Sequence, residues 1–430
     1  MSYAEDSIPH AEGSVSHNAE GSMSESVIQT EDRQSGNGLR RPSEPLGSQV
    51  QSSFAEARQR RKITELESKL VVLESGRVVK ERQSNYYLAQ GRGLRRIVAL
   101  FDSIEDLVNE NDRRYDDDGD EDATIDQDRL STGYCILTRT LPWFLKTSSD
   151  IDHDDYMRML KALRQGADGA RGDDTAKLKT LISDWVNREL KPNPPVDSDD
   201  KNYRGFTSDA CGRLLCPAEL DWNNPAYVAV KAGIRDRSEG HIVTDLSFPA
   251  FVYEKYTANA DNLEEGLFKG KILLQGYKAI FTSPSSAKDV EGDGDGADVI
   301  ANNRCAKKSS CGIKVKKHVA QIIKMDKVTP RSIAYVACQV RFALSSVTSW
   351  RSVDGDFDYI QFWRSIVDFF EKPPGQEAQR RVNKLLEWWT RKVFGSSRRE
   401  DLSNTVKANM SVNALARQRA QLDDTGFDSN

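Results

Sequence analysis

The sequence predicts a mainly α fold, a multi-helix globular domain with a disordered N-terminal arm and C-terminal tail. Apolar residues recur at helical spacing through the central part of the chain. No long run alternates apolar and polar residues as a half-buried strand would. Proline and glycine fall between the periodic stretches, where helices would end. The strongest signal lies between Thr329 and Phe394. Thr329-Pro330 supplies an N-cap hydroxyl and a proline where no amide hydrogen is needed. Ile333, Val336, Val340, Ala343 and Val347 then define one apolar face. Asp354-Gly355-Asp356 breaks the pattern, with Asp356 placed to cap a second helix bearing Phe357, Ile360, Trp363, Ile366, Val367 and Phe370. Pro373-Pro374-Gly375 ends it. A third helix carries Val382, Leu385, Leu386, Trp389 and Val393, with Gly395 as its C-cap. Short connections favour packing of these helices into one core, with Ile333, Val340, Ile360, Trp363, Leu386 and Trp389 buried together.

Taken from the N-terminus, residues 1–53 hold few groups able to build a core, so their ordering entropy is not offset and a disordered arm is expected. Residues 54–90 read as a charged helix. There Arg58, Arg60, Arg61 and Lys62 precede Ile63, Leu66, Leu70 and Leu73, an order that suggests a short coiled-coil seam. Arg77 and Lys80 interrupt that seam, and Gly76 weakens the helix. Residues 91–395 form the expected globular domain and 396–430 a flexible tail. Within the domain, Ile97 to Val108 reads as an amphipathic helix and Tyr115 to Asp128 as an acidic linker. Leu130 to Leu145 reads as a helix kinked at Pro142, and Asp154 to Leu163 as another. Gly166 to Asp174 reads as a turn, followed by helices over Ala176 to Leu190 and Leu263 to Phe281.

The composition suits a soluble protein: 38% hydrophobic, 30% charged, with a formal net charge of −5. Such a balance gives no global field drawing the chain to nucleic acid, so any such binding requires a local patch. Six cysteines in 430 residues make no disulfide scaffold, and an intracellular location is expected. Neither a signal peptide nor a membrane-spanning run is found.

Recognisable catalytic and metal motifs are missing. Cys211 and Cys216, or Cys305, Cys311 and His318, lack zinc-knuckle spacing, and Cys135 and Cys338 read as small core residues. The run from Glu291 to Gly296 begins like a calcium loop but has Asn302 where the bidentate glutamate belongs. Gly266 to Lys271 is one residue short of a phosphate loop. No cofactor is expected.

Lys307, Lys308, Lys314, Lys316, Lys317 and Lys324 occur with no acidic residue among them. On a helix from Ile313 to Met325, Val315, Val319, Ile322 and Ile323 would form a buried face and Lys314, Lys317 and Lys324 an opposite one. Lysines near a helix start oppose its macrodipole, whereas a phosphate-binding face would account for them. The acidic stretch before them, including Asp289, Glu291 and Asp293, could balance or shield their charge. The candidate nucleic-acid-binding residues are Lys307, Lys308, Lys314, Lys317 and Lys324, joined by Arg58, Arg60, Arg61 and Lys62. A second basic run, Arg380, Arg381, Lys384, Arg391 and Lys392, is interleaved with Glu377 and Glu387. Helical ion pairs Glu377–Arg381 and Glu387–Arg391 are expected there.

Several phrases in order, among them Gly91-Arg92-Gly93-Leu94-Arg95-Arg96, Leu163-Arg164-Gln165-Gly166, Tyr335-Val336-Ala337-Cys338-Gln339 and Ser349-Trp350-Arg351-Ser352-Val353-Asp354-Gly355-Asp356-Phe357-Asp358, resemble a family of proteins without assigned function, expanded in mushroom-forming (basidiomycete) fungi. The resemblance implies no catalytic residues. By association it implies a link to mobile elements or genome conflict, hence a nuclear role. The expected function is a non-enzymatic nuclear or nucleic-acid-associated binding protein that uses a basic helix to contact DNA or RNA through phosphates. The alternatives are a metal-dependent phosphodiester-processing enzyme and a protein-interaction scaffold.

Overall fold

The computed structural model describes residues 46–116, 123–220, 222, 228–288, 290–294, 318–395 and 403–426. The arm up to residue 45 therefore lies outside the described residues. The chain divides into two units, Met1–Leu73 and Glu74–Asn430. Helix α1, Leu46–Gly91, begins ahead of the expected Phe54. In the first unit its side chains from Arg58 to Val72 are exposed, Ile63, Leu66 and Leu70 included.

The second unit is built of helices, as the periodicity predicts. After α2 (Leu94–Ile97) come α3 (Ile104–Asp116), α4 (Ile125–Thr140), α5 (Phe144–Asp150) and α6 (His153–Leu190). Then follow α7 (Asp209–Leu215), α8 (Val228–Asp236), α9 (Lys271–Phe281), α10 (Val319–Ile322) and α11 (Pro330–Leu344). A two-residue hairpin, β1 (Val353–Asp354) and β2 (Phe357–Asp358), leads into α12 (Tyr359–Glu371) and α13 (Gln376–Phe394). Helices α14 (Asn404–Asn409) and α15 (Ser411–Gly426) lie in the segment expected to be a flexible tail.

Helix α11 is central. It packs on α2, α6, α7, α9 and α12, and every residue from Arg331 to Leu344 is buried. Thr329 and Ser332 form the capping box at its start. Its last carbonyls take donors from outside: the Lys201 ammonium donates to Phe342, and the Arg204 guanidinium donates to Ala343 at 2.8 Å. Inside the core, Tyr335 donates to Asp174 at 2.8 Å, and Arg96 holds both oxygens of that carboxylate at 2.7 and 2.8 Å. Ile333, Val340, Trp363 and Trp389 share this core as expected. Leu386 only borders it, and Ile360 is half-buried outside it.

Several boundaries differ from the sequence reading for identifiable reasons. Asp358, not Asp356, caps α12 by accepting from the amides of Ile360 and Gln361. Gly355, at φ 63°, forms the hairpin turn that precedes it. Ile97 to Val108 is two helices separated by residues 98–103, and Pro142 separates α4 from α5 instead of kinking one helix. Helix α9 starts at Lys271, after Gly270, where a Cβ would lie 1.9 Å from the carbonyl oxygen of Phe251. Cys135 is exposed, whereas Cys338 is buried as expected.

The largest difference is α6, a single helix of 38 residues across the glycine- and aspartate-rich stretch read as a turn. A Cβ on Gly166 would lie 2.0 Å from the Leu88 carbonyl oxygen, and one on Gly91 would lie 2.0 Å from that of Leu163. These glycines therefore serve a close crossing of α1 and α6, not a chain reversal. Their neighbour Gly169 has open space around it. Gly166→Ala should cost about 1–3 kcal/mol in urea denaturation, because backbone must move to admit the methyl group. Gly169→Ala should be neutral or gain up to about 1 kcal/mol from helix propensity. Equal effects at both positions would contradict the close crossing.

Candidate phosphate-binding groove

Helix α13 presents two faces. Inward, Trp389 is fully buried, and its indole nitrogen donates to the Phe268 carbonyl at 3.0 Å, tying the 262–269 loop to the helix. A second tie comes from the Val328 amide, which donates to Thr390 Oγ1 at 3.2 Å. Between these attachments lies an open groove of about 1370 Å³. Phe369, Leu385 and Trp388 supply its apolar surface, and Lys269, Lys327, Arg381, Lys384 and Arg391 its cations. Glu264, Glu265 and Glu387 also line it.

Arg381, Lys384, Trp388 and Arg391 are spaced i, i+3, i+7 and i+10, which places them on one side of α13. The Lys269 ammonium stands 5.7 Å from the centre of the Trp388 ring. Arg381 pairs with Glu264 at 2.9 Å and Arg391 with Asp293 at 3.2 Å. The helical pairs expected with Glu377 and Glu387 are thus replaced by partners from the loops; Glu377 pairs with Arg380 instead. Among the described residues, Lys327 and Lys384 are exposed and make no ion pair.

Of the residues singled out in the sequence, Lys307, Lys308, Lys314, Lys316 and Lys317 lie outside the described residues. The helix expected from Ile313 to Met325 is described only as Val319–Ile322. Lys324 sits beyond it in a turn at φ 56°, exposed, and Ile322 is 40% exposed instead of facing the core. Lys327, three residues on, reaches the groove. The described part of the acidic stretch docks on the end of α13. There the Gly294 amide donates to the Arg391 carbonyl at 2.9 Å and the Lys392 ammonium to that of Gly292 at 3.1 Å. Arg58, Arg60, Arg61 and Lys62 are all exposed on α1, with Arg58, Arg61 and Lys62 on one side by their spacing.

Lys201 is a second candidate because its ionisation is perturbed. Burial first, then the Arg204 charge, pushes its ammonium down to about 7. It borders an open pocket of about 440 Å³ with Asp197, Asp199 and Asp200. Its nitrogen, however, donates to the carbonyls of Phe342 and Val347 and lies 3.6 Å from the centre of the Phe342 ring. A neutral amine keeps two N–H donors for those two carbonyls, so the geometry is that of a helix cap in either protonation state. Cys211 belongs to the main core and Cys216 to a second cluster with Trp222, Val230 and Ile234. Among the described residues no group of three or more His, Cys, Asp or Glu is placed to hold a metal ion, and no helix is long and apolar enough to cross a membrane.

The model of a family of unknown function, DUF6698, matches residues 165–394, more than half of the chain, and the chain belongs to that family. No curated protein and no solved structure matches it.

The buried amine makes stability depend on pH. Its folded pKa lies below the unfolded value of 10.5, so between about 7 and 10.5 the unfolded chain binds the extra proton and stability rises with pH. Burial raises the Cys211 and Cys338 thiols above their ordinary value of 9.0, so above pH 9 the unfolded chain loses protons the folded one keeps, and stability falls. Unfolding free energies from urea titration should therefore climb from pH 7 by up to about 1.4 kcal/mol per pH unit and turn over near the thiol range. Lys201→Met should abolish the climb and keep the fall; a wild-type curve flat from pH 7 to 9 would contradict the assignment.

Proposed function

We propose that this DUF6698 protein is a non-enzymatic binding protein that holds nucleic acid by its phosphates along the α13 groove. The observation that carries the reading is the pair of walls bearing Lys269 and Lys327 on one side and Arg381, Lys384 and Arg391 on the other. Phosphates recruit such cations by releasing condensed counterions, a contribution indifferent to base sequence. Glu264 and Asp293 occupy Arg381 and Arg391 in the free protein, so a polyanion exchanges one acidic partner for another at those positions. Lys327 and Lys384 are available without such exchange. The basic cluster of α1 adds a second, exposed set of charges, of a composition that also suits nuclear import. Lys324, exposed three residues before Lys327, adds a further cation near it in sequence. A nuclear place is the location this reading favours.

Replacing Lys269, Lys327 and Lys384 together by glutamine should leave the melting temperature nearly unchanged. It should weaken binding of a labelled oligonucleotide, measured by fluorescence anisotropy. Each lost phosphate contact should lower the slope of log affinity against log salt by about 0.7–1. Replacing Arg58, Arg60, Arg61 and Lys62 should weaken binding further without altering stability. No binding by the intact chain at low salt, or an unchanged slope in the triple variant, would overturn the reading and leave a protein-interaction scaffold in its place.

A further inference from the structure

We infer that the groove takes a single strand, not a duplex, with one base stacked on Trp388. This rests on the phosphate-binding reading and adds the form of the ligand. Trp388 is the position that charge alone does not explain. It lies between Lys384 and Arg391 in sequence and on the same side of α13 as Arg381, Lys384 and Arg391. Its neighbour Trp389 turns the opposite way into the core. The two rings meet edge to face, 5.7 Å apart at an interplanar angle of 88°, so the buried indole braces the half-buried one. Phe369 and Leu385 continue the apolar floor beside it.

Cations at both ends of an aromatic platform match a flexible strand, whose phosphates can follow the walls while a base turns inward. The stretch from Arg381 to Arg391 runs about 15 Å along the helix axis, long enough for more than one phosphate. A duplex keeps its bases stacked on each other and offers the indole only sugar and phosphate. Base-on-aromatic stacking is tolerant of sequence because every base has a π-face. Lys269, now over the Trp388 ring, can move aside to a phosphate or stay on the indole as a cation–π partner.

The test uses the full chain and three labelled probes of equal length: oligo-dT, a mixed-sequence duplex, and an abasic strand with the same phosphates. Oligo-dT should bind about tenfold or more tighter than the abasic strand, as the loss of one stacked base predicts. Trp388→Ala should weaken oligo-dT by a similar factor, leave the abasic strand unchanged, and Trp388→Phe should restore most of the loss. Thermal melts of both variants check folding, and the ratio of oligo-dT to abasic affinity is independent of the active fraction. If duplex, oligo-dT and abasic strand bind alike with a steep salt slope, the stacking inference fails and the phosphate reading stands. If none binds, both fail. If polyglutamate binds in a Trp388-dependent way and oligo-dT does not, the groove belongs to an acidic protein partner and both are overturned.

Discussion

Helix α11 has no face left to water, so the polar groups it carries depend on partners within the protein. All its polar side chains find one, although Gln339 is met only at its oxygen, by Thr175 at 2.8 Å, and not at its amide nitrogen. Arg331 shows how far the requirement reaches. Its guanidinium donates to the Val98 carbonyl at 2.7 Å, to the Arg129 carbonyl at 3.0 Å and to both oxygens of Glu371. One side chain thus couples the α2–α3 connection, α4 and α12. Tyr335 reaches α6 and the α2 arginine through Asp174, Arg341 donates to the Tyr359 hydroxyl at 2.8 Å, and Lys201 with Arg204 closes the C-terminal end. Buried charges are costly unless paired and hydrogen-bonded, and removing one partner leaves the other exposed to that cost. The contacts therefore act as a set: they select one arrangement of helices around α11 more than they add stability pair by pair.

This explains what periodicity could and could not reveal. The capping signals at Thr329-Pro330 and the apolar spacing of α11 were legible, and so were α12 and α13. The burial of its other faces was not, because Arg331, Ser332, Gln339 and Arg341 look like solvent-facing residues until their partners are known. Those partners lie far away in sequence. The same limit applies to Gly166. A glycine in a polar stretch reads as a break, and only the position of Leu88 shows that the missing Cβ admits another backbone. Local propensity is a weak guide where tertiary packing sets the result.

The groove was legible in its parts and misread in its pairing. Helical spacing offered Glu377 to Arg381 and Glu387 to Arg391, which made the basic run look self-neutralised. In the fold, Glu264 and Asp293 take those arginines from separate loops, and Glu387 remains along the groove. Spacing states who could meet on one helix; it is silent about competitors from elsewhere. Lys269 and Lys327 had no signal at all, since only closure of the 262–269 loop onto Trp389 and of Val328 onto Thr390 brings them opposite α13.

Helix α13 divides its residues between a buried face that serves the fold and an outward face that the fold does not need. Val382, Trp389 and Val393 are fixed in the core, and the hydrogen bond from Trp389 sets the far wall through Phe268. The outward stripe bears little of that burden. A ligand meeting it finds walls already held in place, so less of its interaction energy is lost to ordering the protein. On the proposed reading, the exposed Lys327 and Lys384 can adjust along a flexible polyanion, Arg381 and Arg391 exchange Glu264 and Asp293 for it, and the ring at their centre is braced from behind. On that reading, a rigid platform with adaptable charges draws its affinity from stacking and phosphate contacts, which tolerate any sequence, and leaves Asn383, Arg381 and Arg391 as groups along the groove able to meet a base edge.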